Sequence, residues 1–464
     1  MTQTVAPTYH VLLRAGADDT LTVEPPAGGK LVGLRMDGAP GDERWRVNEE
    51  VWEPLRLAGI APSQEAVDLF RFAAAAYCAD LLVPHRTAFD RWSRHMVLYL
   101  PVADRQRWEA ASDVLRELLD FLSGDHWEIV FREQRVPPPP RAKRMRKQPT
   151  PISADRVSLL SGGLDSAIGA ADLLDRYGVA LVSHNAKSGG ATYSSPSQRS
   201  VLQVLRRHFP VERVRPLRFR LNPPSPITGE TESVTTTRSR SIIFFALGLL
   251  VANALDTAHG GEPVPLVVPE NGLISLNVPL TKARLGSWST RTTHPHTLAM
   301  LREAMRALGL ATPIVTPYST QTKGEMLLAW VERNRQIAED LVAASVSCAH
   351  PNQSRFLGSD QRQPHCGTCV PCIIRRASTQ HAGVDDGRYS FDLPSAIPSL
   401  KLSRATDTLA FIYALETRRR PARPLDISVS GPLHVETDVE LQALLRVYDA
   451  GMDEVARHLG LPIP

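Results

Sequence analysis

The stretch Ser161-Gly162-Gly163-Leu164-Asp165-Ser166 constrains the fold of this chain more than any other. It is entered from the apolar run Val157-Ser158-Leu159-Leu160 and runs on into Ala167–Leu174, so it reads as buried strand, glycine turn and helix start. Adjacent glycines let the backbone turn sharply with its N–H groups pointing inward, and the helix N-terminus adds partial positive charge. The result is an anion cradle, to which the Ser161 and Ser166 hydroxyls can add donors. A Walker-type loop is excluded, because it needs Gly-x-x-x-x-Gly-Lys-Ser/Thr and no lysine occurs here before Lys187. The plainer reading of the same residues is a glycine-rich helix cap.

From residue 155 onward short apolar strands alternate with helices, the pattern of an α/β fold with a parallel sheet and helices on both faces. Strands are expected at Val157–Leu160, Val179–Ser183, Val214–Leu221 and Val264–Val268. Helices are expected at Ala167–Leu174, Gln198–His208 and Ser241–Leu255. Ser241–Leu255 is apolar throughout but short for a membrane span, so it reads as a core helix. Ligands of such sheets bind beyond the carboxyl ends of the strands. Three polar groups fall there: Ser161–Ser166, then His184, Asn185 and Lys187, then Glu270 and Asn271. Arg238 and Arg240 open a helix, where a cation opposes the helix dipole and an anionic ligand would offset that cost. Thr322-Lys323-Gly324-Glu325 is a capping box, which makes Glu325 a cap and leaves Lys323 as a functional candidate.

The chain has five cysteines, and four of them, Cys348, Cys366, Cys369 and Cys372, fall in one segment with Cys-x-x-Cys-x-x-Cys spacing. Thiolates at that spacing with one more distant partner suit tetrahedral zinc, although an iron–sulfur cluster uses similar ligands. Cys78 lies in a helix of buried spacing and reads as an inert core thiol. No secretory signal precedes the chain, so a reducing, cytoplasmic setting is expected and disulfides are not.

The serine-flanked Ser161–Ser166 turn resembles the PP-loop ATP pyrophosphatases. Together with the four cysteines it is similar to the QueC, or 7-cyano-7-deazaguanine synthase, family, over roughly residues 155–385. Arg238-Ser-Arg240-Ser-Ile-Ile-Phe-Phe and Cys372-Ile-Ile-Arg375-Arg376-Ala also match stretches of that family. The interval from Cys348 to Cys366 is longer than in housekeeping members, and both ends of the chain are extended. That enlarged layout resembles the QueC-like proteins of bacterial anti-phage cassettes of the Qat type. The resemblance implies ATP, magnesium and zinc as cofactors. Leu160, Ser161, Gly162, Gly163, Leu164, Asp165, Ser166, His184, Lys187 and Arg238 would bind nucleotide, with Asp165 helping to hold magnesium. Asp165, Ser166, Lys323 and Arg240 would serve catalysis, and Glu270, Asn271 and Asn277 would read a guanine-like base. The implied reaction is AMP-forming activation of a 7-deazaguanine carboxylate, giving amide, nitrile or a protein conjugate, with a cassette-encoded protein as partner. A tRNA-thiolating enzyme and a nucleotide-binding scaffold remain as alternatives.

Hydrophobic content of 43%, charged content of 22% and a net charge of +4 are ordinary globular values and give no argument for nucleic acid. The organisation expected is an α+β accessory domain over 1–135, with strands Tyr9–Leu13, Met96–Pro101 and Trp127–Arg132. Its helices run from Ser63 to about Leu82 and from Asp104 to about Leu122. A proline-rich and basic linker over 136–154 follows, read as extended and solvated, with a basic arm touching an anionic ligand or RNA as the functional alternative. The nucleotide domain then occupies 155–345, the cysteine segment 346–390 and a helical region 391–464. In that last region the stripe Leu441, Leu444, Leu445, Tyr448, Met452 and Val455 must be buried against the chain or a partner. The N-terminal region carries no catalytic constellation and is expected to dock a partner or cover the site.

Overall fold

The computed structural model describes the chain outside residues 1–5, 140–147, 186–190, 228–230, 233, 235–237, 260–261, 283–290, 351–356, 358, 360–361, 398–399 and 464. Among the described residues ten strands build two sheets. The first holds β1 (Thr8–Ala15), β2 (Lys30–Met36), β4 (His95–Val102) and β5 (His126–Glu133), all parallel, in the order β2-β1-β4-β5. The second holds β3 (Asn48–Glu50), β6 (Arg156–Leu159), β7 (Val179–Asn185), β8 (Val214–Asn222), β9 (Leu266–Val267) and β10 (Ile314–Val315), in the order β10-β9-β6-β7-β8-β3. Its five parallel strands step outward from β6 to β7 and β8, then return across β6 to β9 and β10. That is the doubly wound order, whose direction reverses between β6 and β9. The antiparallel edge strand β3 comes from the N-terminal region.

The α/β reading with a parallel sheet between helices therefore holds. The N-terminal region does carry its own sheet, but it is not an appended body. Helix Gln64–Leu82 is buried along almost its whole length, and its core is continuous with that of helix Arg240–His259 and strands β6 to β8. Helix Arg240–His259 is apolar around most of its circumference because it is packed on most of it, its C-terminal turn alone being exposed. By length and composition Arg240–Ala258 could cross a membrane, yet most of it is buried between the two layers.

The linker differs from expectation too. Val136 is buried against Gly16, which holds φ +83°. Its carbonyl accepts from Arg71 Nη1 at 2.5 Å and Gln64 Nε2 at 3.0 Å, while Arg56 Nη1 donates to Pro139 O at 2.6 Å. Thr150 N and Ile152 N bond the carbonyls of Leu57 and Ala58. Both ends of the linker are thus docked on the N-terminal region, and the basic run between them lies among the residues not described. In the C-terminal region, helix Asp438–His458 buries its stripe against the chain itself. Leu444, Leu445, Tyr448, Met452 and Val455 share a core with Leu276 and Ile373, and Leu441 packs at its margin.

Candidate active site and metal centre

Strand β6 ends at Leu159, and Leu160 still spends its N–H on Val182 O at 2.8 Å, so the turn begins at Ser161. Gly162 adopts φ +87°, and a Cβ there would lie 2.3 Å from Ser197 Oγ and 2.9 Å from Gln198 N. Only glycine fits both the torsion and the space. Gly163 caps helix Leu164–Leu174 without any side-chain cap of its own. The turn is braced by the segment after helix Lys323–Ala344: Val346 N donates to Gly162 O at 2.9 Å, and Leu164 N donates to Ser347 Oγ at 3.3 Å. Gly163 N reaches Ser161 Oγ at 3.3 Å. Ser166 Oγ donates to Gly163 O at 2.9 Å and lies 3.1 Å from Ser161 Oγ, so the exposed Ser161 hydroxyl is the freer donor of the two.

The turn opens on the crevice between β6 and β9, where a doubly wound sheet binds its ligands. Asp165 points into it from the first turn of its helix. Asp165 Oδ2 accepts from Asn271 Nδ2 at 2.7 Å, and Asp165 Oδ1 has no hydrogen-bond partner but lies 3.4 Å from Lys323 Nζ. Lys323 is only 3% exposed and opens its helix, where the dipole disfavours a cation. Asp165 is the charge that keeps it there. Thr322 and Glu325 form the expected reciprocal capping box, and Glu325 also receives Arg446 at 2.5 Å, which fixes it as structural.

Glu270 follows β9 in the same crevice. One of its oxygens accepts from Thr293 Oγ1, which is itself 2.9 Å from Ser275 Oγ. Burial raises the Glu270 carboxyl to about 7; Thr293 and Lys323 oppose the rise and Asp165 adds to it.

Other expected site residues lie elsewhere or are already committed. His184 is fully buried, edge-on to Tyr77 and Phe244, with Nε2 3.3 Å from Leu221 O. Burial, helped by Arg240, lowers it to about 3, so it is a neutral core histidine and not a nucleotide ligand. Arg238 is 2% exposed, donates to Ser123 O and the His85 ring, and lies 4.4 Å over Trp92. It clamps the N-terminal region and has left the phosphate site. Asn271 cannot read a base: Nδ2 is held by Asp165, and Oδ1 caps helix Gly272–Leu276 through Ile274 N at 3.2 Å. Asn277 closes that helix with φ +47°, and its carbonyl accepts from Ser430 at 2.6 Å. Arg240 packs over Phe244, and no carboxylate among the described residues acts on it. Lys187 lies outside the described residues.

The four cysteine sulfurs lie within 4.8 Å of one another, the one such cluster among the described residues. Cys366 and Cys372 are 3.8 Å apart and Cys348 and Cys369 4.0 Å, too far for disulfides. Tetrahedral zinc with bonds of about 2.3 Å places sulfurs about 3.8 Å apart, so the set fits zinc. Gly367, at φ +86°, makes the tight turn that lets Cys369 N donate to Cys366 Sγ at 3.4 Å. The neighbouring thiols of Cys348, Cys369 and Cys372, helped by the Thr368 backbone, hold Cys366 well below the usual thiol range. Cys78 is buried and burial pushes its thiol up, as an inert core residue requires.

Sequence reasoning missed Thr293, Ser275, Gln198 and Ser347. None sits in a recognisable pattern, and only the fold brings Gln198 and Ser347 to the loop and Thr293 and Ser275 to Glu270.

No protein-family model matches the chain, and no curated protein matches it. One solved structure is similar, a ketoreductase domain from the bacillaene assembly line. It is 9% identical with a TM-score of 0.20, covering 71% of this chain and 86% of that one, a likeness that carries no argument.

Proposed function

We propose that this protein activates a carboxylic acid with ATP, releasing pyrophosphate and forming AMP, and that the acid is a 7-deazaguanine carboxylate converted to an amide, a nitrile or a protein conjugate within an anti-phage cassette. The observation that carries the chemistry is the Gly162–Gly163 turn at a helix N-terminus on the switch point, with Asp165 and Lys323 3.4 Å apart at its mouth. The acid class and the cassette setting rest on the resemblance to QueC-like proteins.

The loop amides and the Ser161 hydroxyl would hold the leaving phosphates. Asp165 Oδ1, buried without a hydrogen-bond donor, is an open coordination position that fits magnesium, which supplies charge neutralisation there. Lys323 is placed to stabilise charge on the phosphates once Asp165 turns to the metal. Positioning and charge carry the reaction, and no protein nucleophile is needed. The substrate carboxylate oxygen bonds to the α phosphorus as the bond to pyrophosphate breaks. Arg240, at a helix start and over Phe244 with no carboxylate paired to it among the described residues, suits the acid or a phosphate. Four thiolates leave no open position on a zinc ion, so the metal would be structural. The same cluster disfavours thiolation, since it leaves no free cysteine pair to carry sulfur.

The test is mass spectrometry of purified protein with ATP and 7-carboxy-7-deazaguanine. Consumption of the acid together with AMP formation is expected. Thiolated tRNA in the presence of a sulfur donor, or bound nucleotide without turnover, would each overturn the proposal.

A further inference from the structure

Glu270 is the crevice carboxyl for which nucleotide activation has no use. Asp165 already has its part there: Oδ2 accepts from Asn271, and Oδ1, 3.4 Å from Lys323 Nζ, is the oxygen left for a metal. Glu270 has a single oriented contact: the Thr293 hydroxyl donates to one oxygen, and the Thr293 hydroxyl is in turn within 2.9 Å of Ser275. Its other oxygen makes no hydrogen bond among the described residues, and Glu270 is half-buried, so part of the residue still reaches the surface. Thr293 and Ser275 are both buried, so the carboxyl is held in one orientation from behind. Asn271, the next residue, holds Asp165, which places Glu270 beside the acid-activating group and not on a separate surface.

An acyl group activated at this crevice must then meet an amine, and the attacking nitrogen carries a proton that has to leave. The geometry points to Glu270 as the general base that removes this proton in the amide-forming half of the reaction, an inference that rests on the function proposed above. The step balances. A C–N bond forms at the acyl carbon, and the bond from that carbon to the phosphate oxygen of AMP breaks with its electron pair staying on oxygen. The N–H proton passes to the open oxygen of Glu270. A base works best with a pKa near the operating pH. Burial supplies this, bringing Glu270 to about 7. The charged groups facing it are Asp165 from helix Leu164–Leu174 and Lys323 from helix Lys323–Ala344. His294, next to Thr293, is lowered by burial to about 3 and adds no charge.

Glu270→Gln keeps the oxygen that accepts from Thr293 and removes the base. In single-turnover mixing with ATP, the acid and ammonia, the variant is expected to release pyrophosphate and accumulate the activated acid, while amide formation falls about 10²–10⁴-fold. Glu270→Asp should recover part of the rate. At a fixed concentration of free ammonia, the wild-type amide step should lose rate as pH falls below about 7, and the Gln variant should lack that limb. Amide formation by the Gln variant at the wild-type rate, or equal loss of both half-reactions, overturns the base role and leaves the activation reading intact. Absence of pyrophosphate release by the wild type overturns both.

Discussion

A metal held by the four cysteines would brace the Gly162 turn, because three consecutive residues join the two sites. Cys348 follows Val346 and Ser347, and these hold the loop through Val346 N to Gly162 O at 2.9 Å and Leu164 N to Ser347 Oγ at 3.3 Å. With Cys348 tied to Cys366, Cys369 and Cys372 through one ion, the segment is pinned; without the ion its end is free. Each hydrogen bond contributes about 1 kcal/mol net, so releasing both lowers the population of the braced loop by about 2 kcal/mol, or about thirtyfold. We expect about one zinc per chain by metal analysis, a lower melting temperature after chelation, and an affinity for a non-hydrolysable ATP analogue weakened about thirtyfold. Ser347→Ala removes one of the two bonds and should weaken that affinity about fivefold with metal content unchanged. A metal-free protein that melts and binds nucleotide as the metal-loaded protein does would refute the coupling, while iron with sulfide would contradict zinc.

Four further outcomes follow from the geometry. Gly162→Ala forces a side chain into φ +87° and within 2.9 Å of the Gln198 backbone, which should cost about 2–4 kcal/mol in a denaturation series; wild-type stability would contradict it. Asp165→Asn strands Lys323 in the core, costing about 3–5 kcal/mol, and the double variant Asp165→Asn/Lys323→Met should recover stability but not AMP formation. Glu270 rises from 4.5 to about 7 on folding, so its contribution is complete below about pH 4.5 and is lost as pH climbs through 7. Glu270→Gln should therefore gain about 1–3 kcal/mol of stability over the wild type at pH 8 and little at pH 5, as read by melts at the two pH values. A chain beginning at Ala154 would bare the face of helix Arg240–His259 that packs on Gln64–Leu82 and should be insoluble; a folded, active fragment would show the N-terminal region to be separable.

Periodicity located most of the long elements to within a few residues. Strand Val179–Ser183 is β7, strand Met96–Pro101 is β4, and the helix expected from Ser63 is Gln64–Leu82 with Ser63 as its cap. Strand β2 escaped notice because Gly33 breaks its pattern; the Trp45 ring occupies the space where a side chain at that position would lie. The two-residue strands β9 and β10 are too short to show a period, although the apolar run around β9 was legible. The site divided along the same line. The glycine turn and the cysteine spacing are local patterns and survive in the fold, whereas Asp165 meets Asn271 and Lys323 only through the sheet. Direction was the hidden quantity. A strand-end histidine and a helix-start arginine read as ligand-facing, but His184 turns into the core and Arg238 into the N-terminal layer.

Phosphorus NMR of the products tests the central claim most directly, because it shows which bond of ATP breaks. With wild-type protein, magnesium and the 7-deazaguanine acid, the account predicts resonances of AMP and pyrophosphate that grow together, require the acid, and vanish with Asp165→Ala. Growth of ADP and inorganic phosphate, or AMP formation undiminished by that substitution, would contradict it.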